Sequence, residues 1–188
     1  MSIESKYIKP KYKKKSDPKV GLLALSTDFT IESDFHSICQ KLPIDIFINR
    51  IHNENPLTKE NLLKMNDQIQ SVTDKILPGE IINTVAYGCT SGTIAIGEDR
   101  VKEKIHLAKP NCYVTTPITS ALKAFKKMNI KKISLFTPYP ESVNKTILEY
   151  FTEKNINIIS FNTFNIDLDA DIAKVDPQFL SETLINLD

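Results

Sequence analysis

The stretch IINTVAYGCTSGTIAIG (residues 81–97) decides the fold class, because it joins two apolar patterns through a short polar loop. Its first part, Ile81–Tyr87, is mostly apolar and predicts a buried strand. The loop Gly88–Thr93 follows, and we predict a helix over Ile94–Ala108. A strand, a small polar loop and a helix in that order are typical of a parallel α/β sheet.

The same order recurs along the chain and predicts an α/β protein whose mostly parallel sheets are covered on both faces. The other predicted strands are Val20–Leu25, Ile44–Ile51, Cys112–Thr115, Lys132–Phe136 and Ile156–Phe161. The other predicted helices are Ile31–Leu42, Thr58–Ile76, one that opens near Thr119, one that opens at Pro140, and Pro177–Leu187.

Two segments look alike and indicate a weak internal duplication. LLALSTDFTIESDF (residues 22–35) and ISLFTPYPESVNKT (residues 133–146) each combine an apolar strand, a hydroxyl-rich loop and a helix with an early acid. We therefore expect two pseudosymmetric flavodoxin/Rossmann-like lobes, residues 20–109 and 110–188, after a basic, flexible arm at residues 1–19. The second lobe is expected to be truncated, because the chain ends on a helix before the last strand that the duplication requires.

Composition and charge argue against several classes of protein. The 188 residues carry a formal charge of +1, which leaves no large basic excess to neutralise nucleic-acid phosphates. No secretory h-region and no run near 18 apolar residues is present, so we expect neither a leader nor a membrane span. Three cysteines without a CxxC pair argue against a disulfide framework or zinc site and favour the cytoplasm.

Three loops each follow a predicted strand and precede a predicted helix: Ser26–Thr30, Gly88–Thr93 and Thr137–Pro140. In open parallel sheets, ligands bind beyond the carboxyl ends of the strands. We therefore expect these loops to converge on one cleft and to carry the chemistry of the protein.

Cys89 is the candidate catalytic residue of the middle loop. At a helix N-terminus, the macrodipole and unpaired N–H groups stabilise a thiolate and lower its pKa. The hydroxyls of Thr90 and Ser91 extend these donors into a cradle for a carboxylate, and Gly92 permits close approach of a ligand. A thiolate beside such a cradle suits proton abstraction next to a carboxylate. The alternative is a buried structural cysteine with Thr90 or Ser91 as a plain N-cap.

The other two loops supply further candidates. Tyr139, held between two prolines, is either a donor to a developing oxyanion or an aromatic lid. Asp28 either positions substrate and orients an amine or caps the following helix. The predicted substrate-binding set also includes four polar residues near these loops, Ser26, Thr27, Thr137 and Asn144.

No metal or cofactor is expected. The acidic residues Asp167, Asp169 and Asp171 lack EF-hand spacing and are interpreted as solvated. The three histidines show no metal-ligand spacing, and GxGxxG, Walker A and GxSxG motifs are absent from the sequence.

Five ordered blocks carry a resemblance to a known family. They are GLLALSTDFTIESDF (21–35), PLTKENLLKM (56–65), AYGCTSGTIAIG (86–97), VTTPITSALKAF (114–125) and LFTPYPESVN (135–144). From about Val20 onward, the chain resembles the aspartate/glutamate racemase superfamily, in the branch of maleate cis–trans isomerase and arylmalonate decarboxylase. The TDFT form looks most like the racemase-like protein of ectoine utilisation.

The resemblance implies a cofactor-independent enzyme with its site between two lobes. Cys89 matches the first-lobe catalytic cysteine, and Asp28 occupies the position of a substrate-binding asparagine. Thr90, Ser91 and Tyr139 match residues that hold a substrate carboxylate and enolate-like oxygens. The family's second cysteine has no match in this sequence, because neither Cys39 nor Cys112 lies in a matching context.

Several functions stay open on the sequence. The first is an isomerase or racemase, impaired without the second cysteine, that acts on a small amino or dicarboxylic acid. Ectoine or hydroxyectoine catabolism is one pathway that this interpretation allows. The alternatives are an arylmalonate-type decarboxylase, a non-catalytic small-carboxylate binder, and a cysteine hydrolase that needs a histidine near Cys89. A homodimer is one expectation, since proteins of this kind often pair, and neither a nucleic acid nor a membrane is expected as a partner.

Overall fold

The computed structural model describes residues 6–12 and 17–187. Of the predicted basic arm, residues 1–5 and 13–16 therefore lie outside the described residues, as does Asp188. Within the described ranges, no helix has both the length and the apolar character needed to cross a membrane.

Two parallel sheets confirm the predicted α/β class. The first sheet has the order β2-β1-β3-β4, and the second pairs β5 with β6. The strands are β1 Lys19–Leu25, β2 Asp45–Ile51, β3 Thr84–Tyr87, β4 Tyr113–Thr115, β5 Lys132–Thr137 and β6 Asn157–Thr163. Since β4 pairs with β3, the first sheet extends past the lobe boundary predicted at residue 109.

Helices alternate with the strands as the sequence predicts. They are α1 Ile31–Cys39, α2 Lys59–Lys64, α3 Asn66–Asp74, α4 Thr90–Ile96, α5 Glu98–Ala108, α6 Pro117–Lys127, α7 Glu141–Glu153, α8 Asp169–Ile172 and α9 Pro177–Ile185. The segment predicted as an acidic loop, residues 167–176, contains the short helix α8.

Two helices predicted as continuous are each divided. The first is interrupted at Met65, whose N–H bonds to the Leu62 carbonyl three residues back instead of four. The second begins earlier than predicted, at Thr90, and is broken by Gly97. Gly97 has φ +97°, a value that suits glycine and that no α-helix contains.

The core lies around β1, which is flanked by β2 and β3. Its run of apolar residues is typical of a parallel strand buried on both faces, and Leu22 and Leu23 are fully buried. On one side, α3 and α5 pack against each other. Helix α7 packs on α4 and brings Val143 and Ile147 into the same apolar cluster. The core therefore continues between the two sheets, which fixes the loops that end β3 and β5 relative to each other.

Candidate active site

A cleft of about 450 Å³ lies at the carboxyl ends of β1 and β3. Residues from all three predicted loops line it, together with the segment that contains α8 and the start of α9. Its polar lining residues include Asp28, Cys89, Thr90, Ser91, Tyr139 and Asp169. The predicted convergence of the loops therefore exists in the structure, and residues after β6 complete the cleft.

Cys89 lies at the N-cap of α4 and is 4% exposed. Its Sγ accepts a hydrogen bond from the Gly92 N–H at 3.2 Å and lies 3.8 Å from the Ser91 Oγ. A Cβ on Gly92 would lie 2.8 Å from this sulfur and 2.8 Å from the Tyr87 Oη. The local GCTSG sequence thus caps the helix with a thiol, and Gly92 leaves the room that this arrangement needs.

The predicted lowering of the Cys89 pKa is wrong. Burial raises the pKa of the thiol to about 11, although the Gly92 N–H and the Ser91 hydroxyl act in the opposite direction. The charge of Asp169 raises this pKa further. A thiolate is poorly stabilised away from water, and one short helix does not offset that cost. Cys89 is therefore a neutral thiol at neutral pH in the unliganded cleft.

We expect alkylation of Cys89 to become faster as pH rises. Because only the thiolate reacts, and the pKa is raised to about 11, the rate should increase roughly tenfold for each pH unit between 7 and 10. Peptide mass spectrometry after timed iodoacetamide exposure measures Cys89 separately from Cys39 and Cys112. In urea, the pH at which the alkylation rate reaches half of its maximum should fall to that of an ordinary thiol, about 8.5. A folded-state midpoint near that value would contradict the burial argument.

Tyr139 enters the cleft from the loop after β5. Burial raises the pKa of this phenol, and the charges of Cys89 and Asp169 raise it further, whereas Ser91 opposes the shift. Tyr139 is therefore protonated, as a hydrogen-bond donor must be. This placement is compatible with the predicted contact to an oxyanion.

Two predicted substrate-binding residues lie behind the cleft wall. The Thr137 hydroxyl donates to the Asn144 Oδ1 at 2.6 Å, and the Asn144 Nδ2 donates to the Tyr139 carbonyl at 2.6 Å and to the Thr163 Oγ1 at 3.1 Å. Asn144 is 2% exposed. The structure therefore places Thr137 and Asn144 in a buried network that holds the Tyr139 loop.

Removing this network should loosen the Tyr139 loop. Asn144→Ala leaves the buried Thr137 hydroxyl and the Tyr139 carbonyl without these partners, so we expect a loss of about 1–3 kcal/mol in the free energy of unfolding. Urea denaturation measures this change in the free energy of unfolding. Lys145→Ala, at the next, exposed position of α7, is the matched control and should change it by less than about 0.5 kcal/mol. Equal effects of both substitutions would contradict a structural role for Asn144.

In the first loop, Asp28 caps α1 while it lines the cleft. Its Oδ1 accepts hydrogen bonds from the backbone N–H groups of Thr30 at 2.8 Å and Ile31 at 3.0 Å. The Ser26 hydroxyl donates to the Ile51 carbonyl at 3.0 Å, which ties the loop to the end of β2. Asp28 therefore caps the start of α1, as one of its two predicted roles requires, and it uses one carboxylate oxygen to do so.

Asp169 was interpreted as solvated, and the structure corrects this. The Thr27 hydroxyl and the Asn53 Nδ2, the latter at 3.3 Å, both donate to its Oδ2. Burial raises the pKa of this carboxyl, the Asp28 charge adds to the shift, and Thr27 and Asn53 oppose it. Sequence reasoning missed Asp169 and Asn53. Asn53 lies two residues after the end of β2, so the rule that selected the other strand-end loops would have found it.

The described residues bring no second thiol or histidine to the cleft. Cys39 is half-buried on α1, and Cys112 is buried just before β4, where its carbonyl lies 3.0 Å from the His106 Nε2. No histidine lines the cleft in the described part of the chain, which removes the support for a cysteine hydrolase. Within the described residues, 6–12 and 17–187, no group of three His, Cys, Asp or Glu side chains is arranged to hold a metal.

Known proteins share this arrangement of elements. No protein-family model matches the chain. The maleate isomerase of Geobacillus stearothermophilus is 23% identical over an alignment of 187 positions, and the match covers 90% of this chain and 72% of that protein. A mutant of the Nocardia farcinica maleate cis–trans isomerase with a covalently bound succinylcysteine intermediate has a TM-score of 0.79 at 15% identity, with 91% of this chain and 73% of that chain covered. The chain has the maleate isomerase fold.

A second enzyme has the same fold. A liganded mutant of arylmalonate decarboxylase superposes with a TM-score of 0.75 at 17% identity, over 89% of this chain and 71% of that chain. The predicted likeness to maleate cis–trans isomerase and arylmalonate decarboxylase is therefore confirmed at the level of the fold, and membership of the aspartate/glutamate racemase superfamily stays a prediction. The closer likeness to the protein of ectoine utilisation stays a prediction, as do the substrate-binding roles of individual residues.

Proposed function

We propose that this protein is a cofactor-independent isomerase or racemase that acts next to the carboxylate of a small amino or dicarboxylic acid. One observation carries the proposal: Cys89, Ser91 and Tyr139 line one cleft although they come from loops on different sheets. A thiol, hydroxyl donors and a protonated phenol are the groups required to move a proton at the carbon beside a carboxylate. The maleate isomerase fold supports this class of reaction.

The chemistry follows from the positions of these side chains. Thr90 and Ser91 hold the substrate carboxylate with their hydroxyls, and Tyr139 donates to the oxygen on which negative charge develops. Cys89 either exchanges a proton with the adjacent carbon or adds to it through sulfur. Covalent addition is supported by the succinylcysteine in the related maleate cis–trans isomerase. Both routes need the thiolate, which has to form while substrate occupies the cleft, since burial keeps Cys89 protonated without it.

The substrate proposal is more specific. Asp28 stands where the isomerase branch usually has asparagine. Its second carboxylate oxygen accepts no hydrogen bond from the described residues, so an ammonium group can bind there. An amino acid therefore fits the cleft better than a dicarboxylate, and we propose a diamino acid from ectoine or hydroxyectoine breakdown in the cytoplasm. A homodimer is the proposed assembly.

Proton exchange in D₂O tests the proposal. The protein is incubated with a panel of small amino acids, including 2,4-diaminobutyrate and its N-acetyl derivatives, and with maleate. ¹H NMR then follows loss of the signal beside the carboxylate, chiral chromatography follows inversion, and fumarate formation follows isomerisation. Phenylmalonate with CO₂ detection covers the decarboxylase alternative. Turnover of one amino acid or of maleate supports the proposal, and binding of a substrate without any exchange contradicts it.

A non-catalytic carboxylate binder is the second candidate. It is favoured by the raised pKa of Cys89 and by the lack of a second cysteine among the described lining residues. Isothermal titration calorimetry with the same panel distinguishes the two functions, because a binder gives heat without proton exchange.

A further inference from the structure

We propose that Glu98 and Tyr150 are positioning residues of the cleft. Their hydrogen bond fixes α7 against α4 and so holds the Tyr139 loop in place relative to Cys89. The inference rests on the proposed function and deepens it, because it names groups that act on the site from outside. Neither Glu98 nor Tyr150 lines the cleft, so neither contacts a substrate there.

The two helices carry the functional side chains at the same end. Cys89 is the N-cap of α4, and Pro140, directly after Tyr139, is the N-cap of α7. The helices contact each other, and Ser91 of α4 and Val143 of α7 line the same small pocket. Their first turns are therefore neighbours at the cleft. The separation of Cys89 and Tyr139 thus depends on how α7 lies against α4.

The Glu98 carboxylate joins the two helices at their other ends. Glu98 follows Gly97, the C-cap of α4, and begins α5. Its Oε1 accepts a hydrogen bond from the Tyr150 hydroxyl of α7 at 2.6 Å and lies 2.7 Å from the Lys154 Nζ. Helix α4 rises about 10 Å over its seven residues, and α7 rises about 9 Å from Asn144 to Tyr150. The contact therefore lies about one length of α4 away from the cleft.

This contact is polar and largely protected from water. Tyr150 is 9% exposed, so its hydroxyl needs a partner inside the protein. Burial disfavours the Glu98 carboxylate, but its bonds to Lys154 and Tyr150 hold its pKa below the ordinary value. Glu98 is therefore a charged acceptor at neutral pH, and hydrogen bonds to charged groups are stronger than those between neutral groups.

The hydrogen bond adds direction to the packing of the two helices. Between the cleft and Glu98, α7 packs on α4 through apolar side chains that include Val143 and Ile147. Apolar packing is non-directional, whereas a hydrogen bond requires a particular distance and angle. At the cleft end, the Asn144 side chain binds the Tyr139 carbonyl, so the loop follows any movement of α7. A bond that fixes α7 therefore fixes the Tyr139 loop.

Timed iodoacetamide alkylation of Cys89 tests the inference without a substrate. If α7 shifts, water reaches the buried thiol and lowers its pKa. Tyr150→Phe and Glu98→Ala should therefore each be alkylated at pH 8 at least about threefold faster than wild type, which corresponds to about half a pKa unit. Glu98→Gln retains an oxygen that accepts from Tyr150 and should react within about twofold of wild type. A wild-type rate in either Tyr150→Phe or Glu98→Ala would overturn the inference, and so would equal rates in Glu98→Gln and Glu98→Ala.

Thr73→Val is the matched control for loss of a buried hydroxyl. The Thr73 hydroxyl donates to the Ile69 carbonyl at 2.6 Å within α3, and Thr73 does not line the cleft. This variant should keep the wild-type alkylation rate of Cys89, while urea denaturation records its change in stability. An increase in rate equal to that of Tyr150→Phe would show that general loosening explains the effect and would overturn the positioning role.

Turnover distinguishes this inference from the proposed function. With a substrate found by proton exchange, the kcat of Tyr150→Phe should fall at least about tenfold while KM changes by less than about twofold. The substrate carboxylate stays bound because Thr90 and Ser91 remain with Cys89 on α4. An unchanged kcat would overturn the positioning role. Absence of any turnover by the wild type, with the alkylation changes present, would instead count against the proposed function.

Discussion

Replacing Cys89 with alanine is expected to reduce proton exchange and turnover by at least about 10⁴-fold, because a methyl group neither removes a proton nor adds to carbon. Cys89 is the one cysteine that lines the cleft among the described residues. The fold should persist, because loss of the helix cap and of one buried sulfur atom should lower the free energy of unfolding by about 1–2 kcal/mol. Exchange in D₂O measures the chemistry, and circular dichroism with urea denaturation measures the fold.

Two variants make the Cys89 experiment specific. Cys89→Ser retains a hydrogen-bond acceptor for the Gly92 N–H and should restore stability without restoring the activity. Cys112→Ala removes another buried thiol, outside the cleft, and should keep the activity while it lowers stability. Activity of Cys89→Ala within tenfold of wild type would rule out the thiol as the reacting group.

Gly92→Ala should be a damaging substitution, because the added methyl group would lie against the Cys89 thiol. The new Cβ would lie 2.7 Å from the Met65 Cε and 2.8 Å from both the Cys89 Sγ and the Tyr87 Oη, so at least one of these groups must move. We expect a loss of about 1–3 kcal/mol in the free energy of unfolding. Displacement of the sulfur by about 1 Å should also lower turnover roughly 100-fold.

Gly97→Ala is the control that distinguishes displacement of the Cys89 sulfur from a general loss of stability. Gly97 ends α4 with φ +97°, and nothing lies within 4 Å of the added Cβ. This variant should lose about 1 kcal/mol through backbone strain alone and keep the alkylation rate of Cys89. Urea denaturation and timed alkylation of both variants give the comparison. Wild-type alkylation and turnover in Gly92→Ala would contradict the requirement for a small residue beside the thiol.

Local pattern predicts much of this protein because parallel strands are buried on both faces and leave continuous apolar runs. VGLLAL marks β1, the central strand, and the loop after Tyr87 was predicted at a helix N-terminus, where Cys89 lies. The helix divisions at Met65 and Gly97 were not predicted. Each depends on backbone geometry over one or two residues, which an apolar periodicity of 3.6 residues does not report.

Side-chain environment was predicted less well than position. The sequence places Cys89 next to backbone donors and so favours a low pKa, whereas burial under residues distant in the chain raises it. Thr137 and Asn144 were selected from their loops, yet their hydrogen bonds turn them toward each other behind Tyr139. Desolvation and side-chain direction both depend on three-dimensional contacts between residues that are apart in the sequence, and a linear pattern contains neither.

By itself, the sequence determined the parallel α/β architecture and the strand-end loops that line the cleft, because both follow from local periodicity and the positions of small polar residues. Only the tertiary structure decided that Asp169 belongs to the cleft wall, since it accepts a hydrogen bond from Thr27, which is 142 residues away in the sequence. Long-range packing also removed water from Cys89 and raised the pKa of its thiol. The cost of burying charge, which is set by the whole fold, thus determines how the cleft can react.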